Sequence, residues 1–282
     1  AMLRCVVAIV AGVLAMVAPA GAQRAAPLAP AAESATVGSA CLAMAQGPRA
    51  MPASLRRTAG EAASVSISYA GHATYYIESP GGVRIATDYS GRYTIGRRPD
   101  VVTMNRAHAT HYSLAPDPNI KHVLHGWGDE REPARVHLQI GDVLIRNVTT
   151  DIRRHQFDGF DAAMIKDGNS IFIFEMAGLC IGHLGHLHHK LDDSHFAQIG
   201  RLDVVMVPID GGYTMSLEGI SDITKRLRAS VVLPMHRFMT PLDDFMQRIG
   251  RDFVIEQRNE RTLELSRDTL PTVPTVIILD GV

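Results

Sequence analysis

Apolar and polar positions divide the chain into three stretches. Cys5 to Val17 is an almost unbroken apolar run, rich in alanine and valine. Residues 23–35 are rich in alanine and proline and show no period, as linkers do. From Val65 the pattern becomes regular. Val65-Ser66-Ile67-Ser68-Tyr69 alternates with the period of a half-buried strand. Ala73 to Glu78 reads as a second strand, Pro80-Gly81-Gly82 as a turn, and Val83 to Thr87 as a third strand. Val101 to Met104 is a short strand that runs into a histidine-bearing loop. Gly141-Asp142 between Val136–Ile140 and Val143–Asn147 signals a hairpin. Ala162–Lys166, Ser170–Glu175 and Leu179–Gly182 are three further strands, with Asp167-Gly168 as a turn between the first two. The period then lengthens. Asp192–Ile199 and Leu217–Leu227 read as helices, alternating with strands at Val204–Pro208 and Val231–Leu233. Strands first and strand–helix units after them predict an α/β protein of layered sheets flanked by helices. No internal repeat suggests a solenoid.

The N-terminal run has the plan of a targeting segment. Met2-Leu3-Arg4 is a short positive region, Pro19 breaks the apolar run, and Ala20-Gly21-Ala22 fits a small-x-small cleavage site. A secretory signal peptide over residues 1–22 is expected, with the mature protein periplasmic or secreted. The run is shorter than the ~20 residues of a membrane span, so no stable span is expected after cleavage. Residues 23–62 are expected to be a linker with a helix over Ala40–Arg57, and residues 63–282 the folded domain. Removal of the signal leaves Cys41 and Cys180. An oxidising compartment permits them to pair. Cys180 lies in an apolar strand pattern, however, where buried free cysteine is common, so the unpaired form is expected.

Composition narrows the function. Hydrophobic residues are 46% and charged residues 20%, enough for a sizeable core. The 28 basic and 29 acidic residues nearly cancel, so no charge excess points to nucleic acid. Three cysteines exclude a disulfide scaffold. Thirteen histidines stand out, because they cluster where predicted strands end. His108 and His111 follow the strand at Val101. His155 follows the strand that ends near Thr149. His183, His186, His188 and His189 follow the strand at Leu179, and His236 follows the strand at Val231. The C-terminal edge of an α/β sheet is where ligands bind, and imidazole suits zinc, iron, copper or nickel. A lone histidine is more often structural; recurrence at one edge is what argues for a metal pocket.

The order of motifs is similar to that of the metallo-β-lactamase superfamily, especially its branch resembling ascorbate-6-phosphate lactonase. Gly71-His72-Ala73-Thr74 followed by Asp88 resembles the opening Gly-His-Ala/Ser segment and its strand-end aspartate. Gly182-His183-Leu184-Gly185-His186-Leu187-His188-His189 resembles the His-Leu-Gly-Asp-Leu-Gly-His segment. Gly211-Gly212-Tyr213-Thr214-Met215 and Pro234-Met235-His236 resemble the closing motifs. The resemblance implies a four-layer αββα sandwich and a metal-dependent hydrolase. Residue by residue, it implies metal ligands at His108, His111, His155 and His236, with His186 in the place of the bridging aspartate.

The departures shape the expected chemistry. The signature His-x-His-x-Asp-His reads here Arg106-Ala107-His108-Ala109-Thr110-His111. One histidine has become Arg106, and the carboxylate has become Thr110. Two divalent cations side by side repel unless anionic ligands lie between them. With both carboxylates gone, one ion is expected, most simply zinc, with iron or copper as alternatives. His111, His186 and His236, with His108 or His155 close by, offer three or four nitrogens, and three nitrogens with a water make a catalytic zinc geometry. Thr110 cannot serve as a base, so Asp210 is the candidate, although aspartate is as common in plain turns. Arg106 is a candidate for binding an anionic substrate group, or else satisfies a local acceptor. His72, Asp88, Thr110, His183 and His189 are expected around the ligands rather than among them, since metal-bound imidazoles need partners for their other nitrogen. His188 is open to the same role or to a plain surface position. The implied function is hydrolysis of a small ester, lactone, amide or phosphoester through metal-bound water. The alternative is a metal- or anion-binding protein without turnover. The sequence leaves the oligomeric state open.

Overall fold

The computed structural model describes residues 38–42, 63–129, 132–154 and 163–282. The described residues belong to one compact unit, Val37–Val282. The expected signal peptide, nearly all of the expected linker and helix, and His155 lie outside them.

Alternating sequence folds as expected into two sheets. The first is built from β1 (Val65–Gly71), β2 (Thr74–Glu78), β3 (Arg84–Ala86), β4 (Val101–Met104), β5 (His122–His125) and, from far along the chain, β13 (Thr262–Leu265). Its strand order is β13-β1-β2-β3-β4-β5. The second contains β6 (His137–Ile140), β7 (Val143–Arg153), β8 (Met164–Met176), β9 (Leu179–His183), β10 (Val204–Pro208), β11 (Val231–Met235), β12 (Val254–Gln257) and β14 (Thr275–Ile278). Its order is β12-β14-β11-β10-β9-β8-β7-β6. The inner faces of both sheets meet in one core, where Ile67, Tyr75 and Ile77 oppose Ile145, Phe172 and Met206. The outer face of the second sheet is covered by α1 (Asp193–Ile199), α2 (Leu217–Leu227) and α3 (Leu242–Ile249), through Ile199, Ile220, Ile223, Phe245 and Ile249. Among the described residues, the outer face of the first sheet is covered by loops carrying Ile120, Tyr112 and Trp127. The sheets and the helical layer on the second sheet are those of the expected sandwich.

Two features differ from the sequence reading. Asp167-Gly168 is not a turn between strands but an irregularity inside β8. The register against β7 slips between Thr150 and Ile152, Asp167 takes a positive φ of 53°, and the strand continues. Asp167 Oδ1 accepts from Thr149 Oγ1 at 2.7 Å, which holds the bulge to the neighbouring strand. The second difference is a disulfide between Cys41 and Cys180, which corrects the expectation of free thiols. Cys180 is buried as expected, but its partner arrives from 139 residues away. The arriving segment is fixed by a buried acid: Ser39 Oγ and the amides of Ala40 and Cys41 all donate to Glu175, whose charge Arg146 balances at 2.8 Å. Sequence spacing carried no sign of this docking. Replacing Cys41 and Cys180 together by serine should lower unfolding free energy by about 2–5 kcal/mol. A urea titration of the double variant checks this, and an unchanged midpoint would show that the Glu175 contacts alone hold the segment.

What positions the site is the parallel run β9-β10-β11. Its registers are parallel throughout, Met206 facing His183 on one side and Leu233 on the other. Three consecutive strands therefore release their chains at one edge. The loop after β9 carries His186 and His188, the loop after β10 carries Asp210, and His236 follows β11 directly. Strand β4 brings His108 and His111 to the same place from the other sheet, and the β1–β2 turn brings His72.

Candidate metal centre

Five imidazoles meet at this edge. The rings of His108, His111, His186 and His236 have centroids 4.4–5.6 Å apart, and His72 lies 4.1 Å from His236. One donor atom from each of His72, His108, His111 and His236 falls in a group whose members are all within 4.8 Å of one another. His72 thus lies within the cluster itself.

The loop backbone is unusual here. His72, Asp88 and His236 all have positive φ, at 56°, 41° and 51°. Non-glycine residues hold such angles only where surrounding contacts over-determine them, and these cluster at functional sites. Here one of the restraints is visible: the amide of His236 donates to the carbonyl of His72 at 2.7 Å, tying the β1–β2 turn to the end of β11. Gly185, also at positive φ, leaves no room for a side chain, because a Cβ would lie 2.4 Å from Asn105 Nδ2. That close approach sets the position of His186.

Each ring is held by one nitrogen. His111 Nδ1 donates to Asp88 Oδ2 at 2.7 Å, and Asp88 is itself fixed by Asn105 Nδ2 at 2.9 Å. His236 Nδ1 donates to Asp210 Oδ2 at 2.8 Å. His108 Nδ1 meets Thr110 Oγ1 at 2.6 Å, and the same hydroxyl meets His72 Nε2 at 2.9 Å. A hydroxyl has one proton, so one ring donates to Thr110 and the other accepts from it; a His108 that offers Nε2 to a metal is the donor through Nδ1, and His72 Nε2 is the acceptor. His72 Nε2 is then an acceptor already in use. The opposite nitrogens of the other rings remain. His111 Nε2 and His186 Nε2 are buried with no hydrogen-bond partner among the described residues, and His108 Nε2 stands 3.4 Å from His236 Nε2. An orphaned buried lone pair at His111 Nε2 is costly, and when His108 and His236 both carry their proton on Nδ1 their Nε2 lone pairs face each other. A cation among His108, His111 and His236 relieves both, so the residues present fit a bound metal ion. Carboxylate-held imidazoles whose far nitrogens converge are the usual arrangement around one.

Electrostatics favours neutral rings. Burial, and then the neighbouring His236, lower His72 to about 3 and His108 to about 4. Burial holds His111 and His186 well below the usual range. The His111–Asp88 contact is therefore a neutral imidazole donating to a carboxylate rather than an ion pair, and burial raises Asp88. Neutral imidazole is the form that binds metal.

Several expected roles change. Asp210 is not placed to be a base. Its Oδ1 accepts from the amides of Gly212 and Thr214 at 2.9 Å, and its Oδ2 accepts from Thr214 Oγ1 at 2.6 Å as well as from His236. Burial pushes Asp210 up, but these bonds outweigh it and hold the carboxyl down to about 2. A carboxylate so fully engaged is a poor proton acceptor; it orients His236. His183 and His189 do not touch the cluster rings. His183 spans Ala73 O at 2.8 Å and the Gly185 amide at 3.1 Å, so both its nitrogens brace backbone. His189 accepts from the Asp151 amide at 3.0 Å and donates to Lys190 O. His188 is the neighbour that matters. It is buried, and its Nε2 bonds His186 Nδ1. Its spacing two residues after His186, inside an otherwise apolar stretch, was the one available signal. Asp88 bonds His111, and Thr110 lies between His108 and His72. His122 and His137 are strand residues, and His125 stacks on Trp127.

Beside His186 and His188 opens a cleft of about 700 Å³. Arg106, Tyr112, Trp127, Arg154 and Lys166 are among its walls. Arg106 is exposed on that wall.

A two-sheet sandwich with histidines gathered at its strand ends is the architecture of metallo-β-lactamase fold proteins. The chain belongs to that superfamily: the model of the beta-lactamase superfamily domain matches residues 66–236. It is similar to a UPF0173 metal-dependent hydrolase from Pyrococcus furiosus, 24% identical over 61% of this chain and 84% of the relative. A second UPF0173 metal-dependent hydrolase, from Methanospirillum hungatei, is 25% identical over 61% and 82%. Among solved structures, a Thermotoga maritima protein assigned as a Zn-dependent hydrolase of the metallo-beta-lactamase superfamily superposes with a TM-score of 0.56. The identity is 26%, over 76% of this chain and 98% of that one. An isothiocyanate hydrolase from Delia radicum gut bacteria shares the fold at a TM-score of 0.50 and 12% identity, over 77% and 97%.

Proposed function

We propose that this protein is an exported hydrolase that holds one zinc ion through His108, His111 and His236 and cleaves a small ester, lactone, amide or phosphoester. The observation that carries the reading is the convergence of imidazole nitrogens, two of them held from behind by buried carboxylates and one by a threonine. Three neutral nitrogens with one position left open are the donor set of catalytic zinc. Such an ion supplies Lewis acidity and lowers the pKa of a bound water toward ~7. The chain does the rest. Asp88 and Asp210 keep His111 and His236 in the tautomer that leaves Nε2 free. Thr110 does the same for His108. The cleft beside the cluster admits a small molecule, and Arg106 on its wall suits an anionic group. Relatives that carry the name metal-dependent hydrolase support the reading. The Cys41–Cys180 disulfide supports export, since such bonds persist in oxidising compartments.

A second reading is favoured by one observation. Thr110 stands where a carboxylate would, and Asp210 is fully engaged, so neither is available as a free base. That suits a protein that binds metal or an anion without turnover. One experiment separates the two. The protein is purified without added metal, assayed for metal content, and tested on ester, lactone, amide and phosphoester panels. Near-stoichiometric zinc with turnover that chelation abolishes and zinc restores is the expected result. Bound metal with no turnover on any panel would establish the binding protein instead.

A further inference from the structure

A metal ligand presents a lone pair, and which imidazole nitrogen keeps one is set by the bond the other makes. For His111 and His236 the Nδ1 proton goes to a carboxylate, so Nε2 is free. His186 is held differently. The backbone N–H of Arg153 donates to His188 Nδ1 at 2.7 Å, and Arg153 Nε donates to the same atom at 3.2 Å. A backbone amide can only donate. His188 Nδ1 is therefore an acceptor, and the ring's one proton sits on Nε2. That atom faces His186 Nδ1. His188 is thus the donor, His186 Nδ1 the acceptor, and neutral His186 carries its own proton on Nε2. The same nitrogen has no partner among the described residues.

The placement of this N–H agrees with a role apart from the ligands. The His186 ring lies 4.7–5.0 Å from those of His108, His111 and His236. The compact donor group does not include it. His186 is buried against the cluster rings and, with His188, also lines the cleft, so it borders both. The relay behind it is anchored. Arg153 Nη2 donates to the carbonyls of Gly212 at 2.9 Å, Tyr213 at 2.6 Å and Thr214 at 2.5 Å, which fastens the end of β7 to the loop after β10.

We propose that His186 is not a metal ligand but a hydrogen-bond donor to the substrate oxygen on which negative charge develops, with His188 and Arg153 as positioning residues that lock its tautomer. The inference rests on the reading of a metal hydrolase given above, and it departs from the sequence expectation that His186 ligates. A fixed N–H in a buried site stabilises developing charge without reorganising. It also explains why a histidine serves where the resembling segment has aspartate. A centre with three neutral ligands has no second cation to bridge, and a donor there is more useful than an anion.

The test is long-range ¹H–¹⁵N NMR of the histidine side chains in the full chain, before and after zinc is added, beside zinc affinities of variants. His186 is expected to show a protonated Nε2 and an accepting Nδ1 in both states. Zinc affinity of His186→Ala should stay within about tenfold of the parent, while His111→Ala loses more than the ~100-fold typical of an outer partner. Hydrolysis by His186→Ala should fall about 10²–10³-fold, with partial rescue in His186→Gln, whose amide still donates. His188→Phe should release the lock and mix the His186 tautomers. Loss of the Nε2 proton on zinc addition, or a His186→Ala variant as zinc-poor as His111→Ala, overturns the proposal. Failure of the metal reading looks different: the parent chain binds no zinc at all. A His186 proton on Nδ1 in the metal-free spectrum would overturn the tautomer assignment independently.

Discussion

Replacing His111 by alanine should leave the protein without retained metal, while Asp88→Asn should weaken binding by about 10–100-fold and keep the stoichiometry. The two residues touch, yet the expected effects differ in kind. His111 offers Nε2, which is buried, unpartnered and aimed among the other rings. Its removal deletes a donor that no described neighbour can replace. Asp88 offers nothing to the ion; it takes the Nδ1 proton of His111 and fixes the ring. Asparagine preserves the shape and can still accept through its carbonyl, so the tautomer survives with a weaker hold. Asp210→Asn should follow Asp88→Asn, because Asp210 stands behind His236 in the same way. That last comparison also tests the base. If Asp210 were the proton acceptor, Asp210→Asn would keep full metal and lose turnover. Elemental analysis and competition with a chelator of known affinity read all three variants. His111→Gln serves as the folded control, since alanine also strips Asp88 of a buried partner.

The sequence made the frame of this site legible because periodicity and strand ends are local. Strands β4, β9, β10 and β11 were readable from short apolar runs, and the histidines that follow them are where the parallel edge places them. Helix α3 and strands β12–β14 were not read; Val254–Gln257 and Thr262–Leu265 are largely exposed or half-exposed and carry a weak apolar signal. The residues whose roles stay open in the sequence share another cause. Asp210, His183, His188 and His189 sit within or beside the same motifs, and their roles depend on which nitrogen or oxygen meets which partner. Asp210 looked like a free acid because its four donors come from its own turn and from His236, 26 residues on. For His188 the sequence leaves a partner role and a surface position open, and Arg153, 35 residues earlier, reaches it from β7. Motif order predicts which residues gather; it does not predict the direction of their hydrogen bonds. The docking of Cys41 is the same lesson at longer range, for Glu175 gives no local hint that it will collect the segment.

Metal-free protein should unfold as the pH falls from about 6.5 through 4, and zinc should shift that transition to lower pH. The sign follows from the buried rings. In the folded chain burial, and then His236, depress His108 to about 4 and His72 to about 3, and burial with Arg153 depresses His188 to about 3. His111 and His186 are also held well below the ordinary value, by burial first and then by neighbouring histidines. In the unfolded chain each returns to the ordinary value near 6.5. Between the two values the unfolded state binds more protons, so stability rises with pH across that window. The contribution is present in full above 6.5 and is lost as pH falls through the folded values. Asp210, held down to about 2, has its own window lower, between 3.8 and 2, and cannot begin the transition. Asp88 is raised in the folded state and works the other way, taking up a proton before its unfolded counterpart does, but it is one group against five. Zinc competes with protons for the same nitrogens, so binding it to the folded state alone adds stability that protons must displace. Urea midpoints measured from pH 7.5 to 4, with and without zinc, check both halves. A midpoint that stays flat across this range in the metal-free protein would mean that the rings are not buried neutral, and the convergent lone pairs on which the centre depends would go with them.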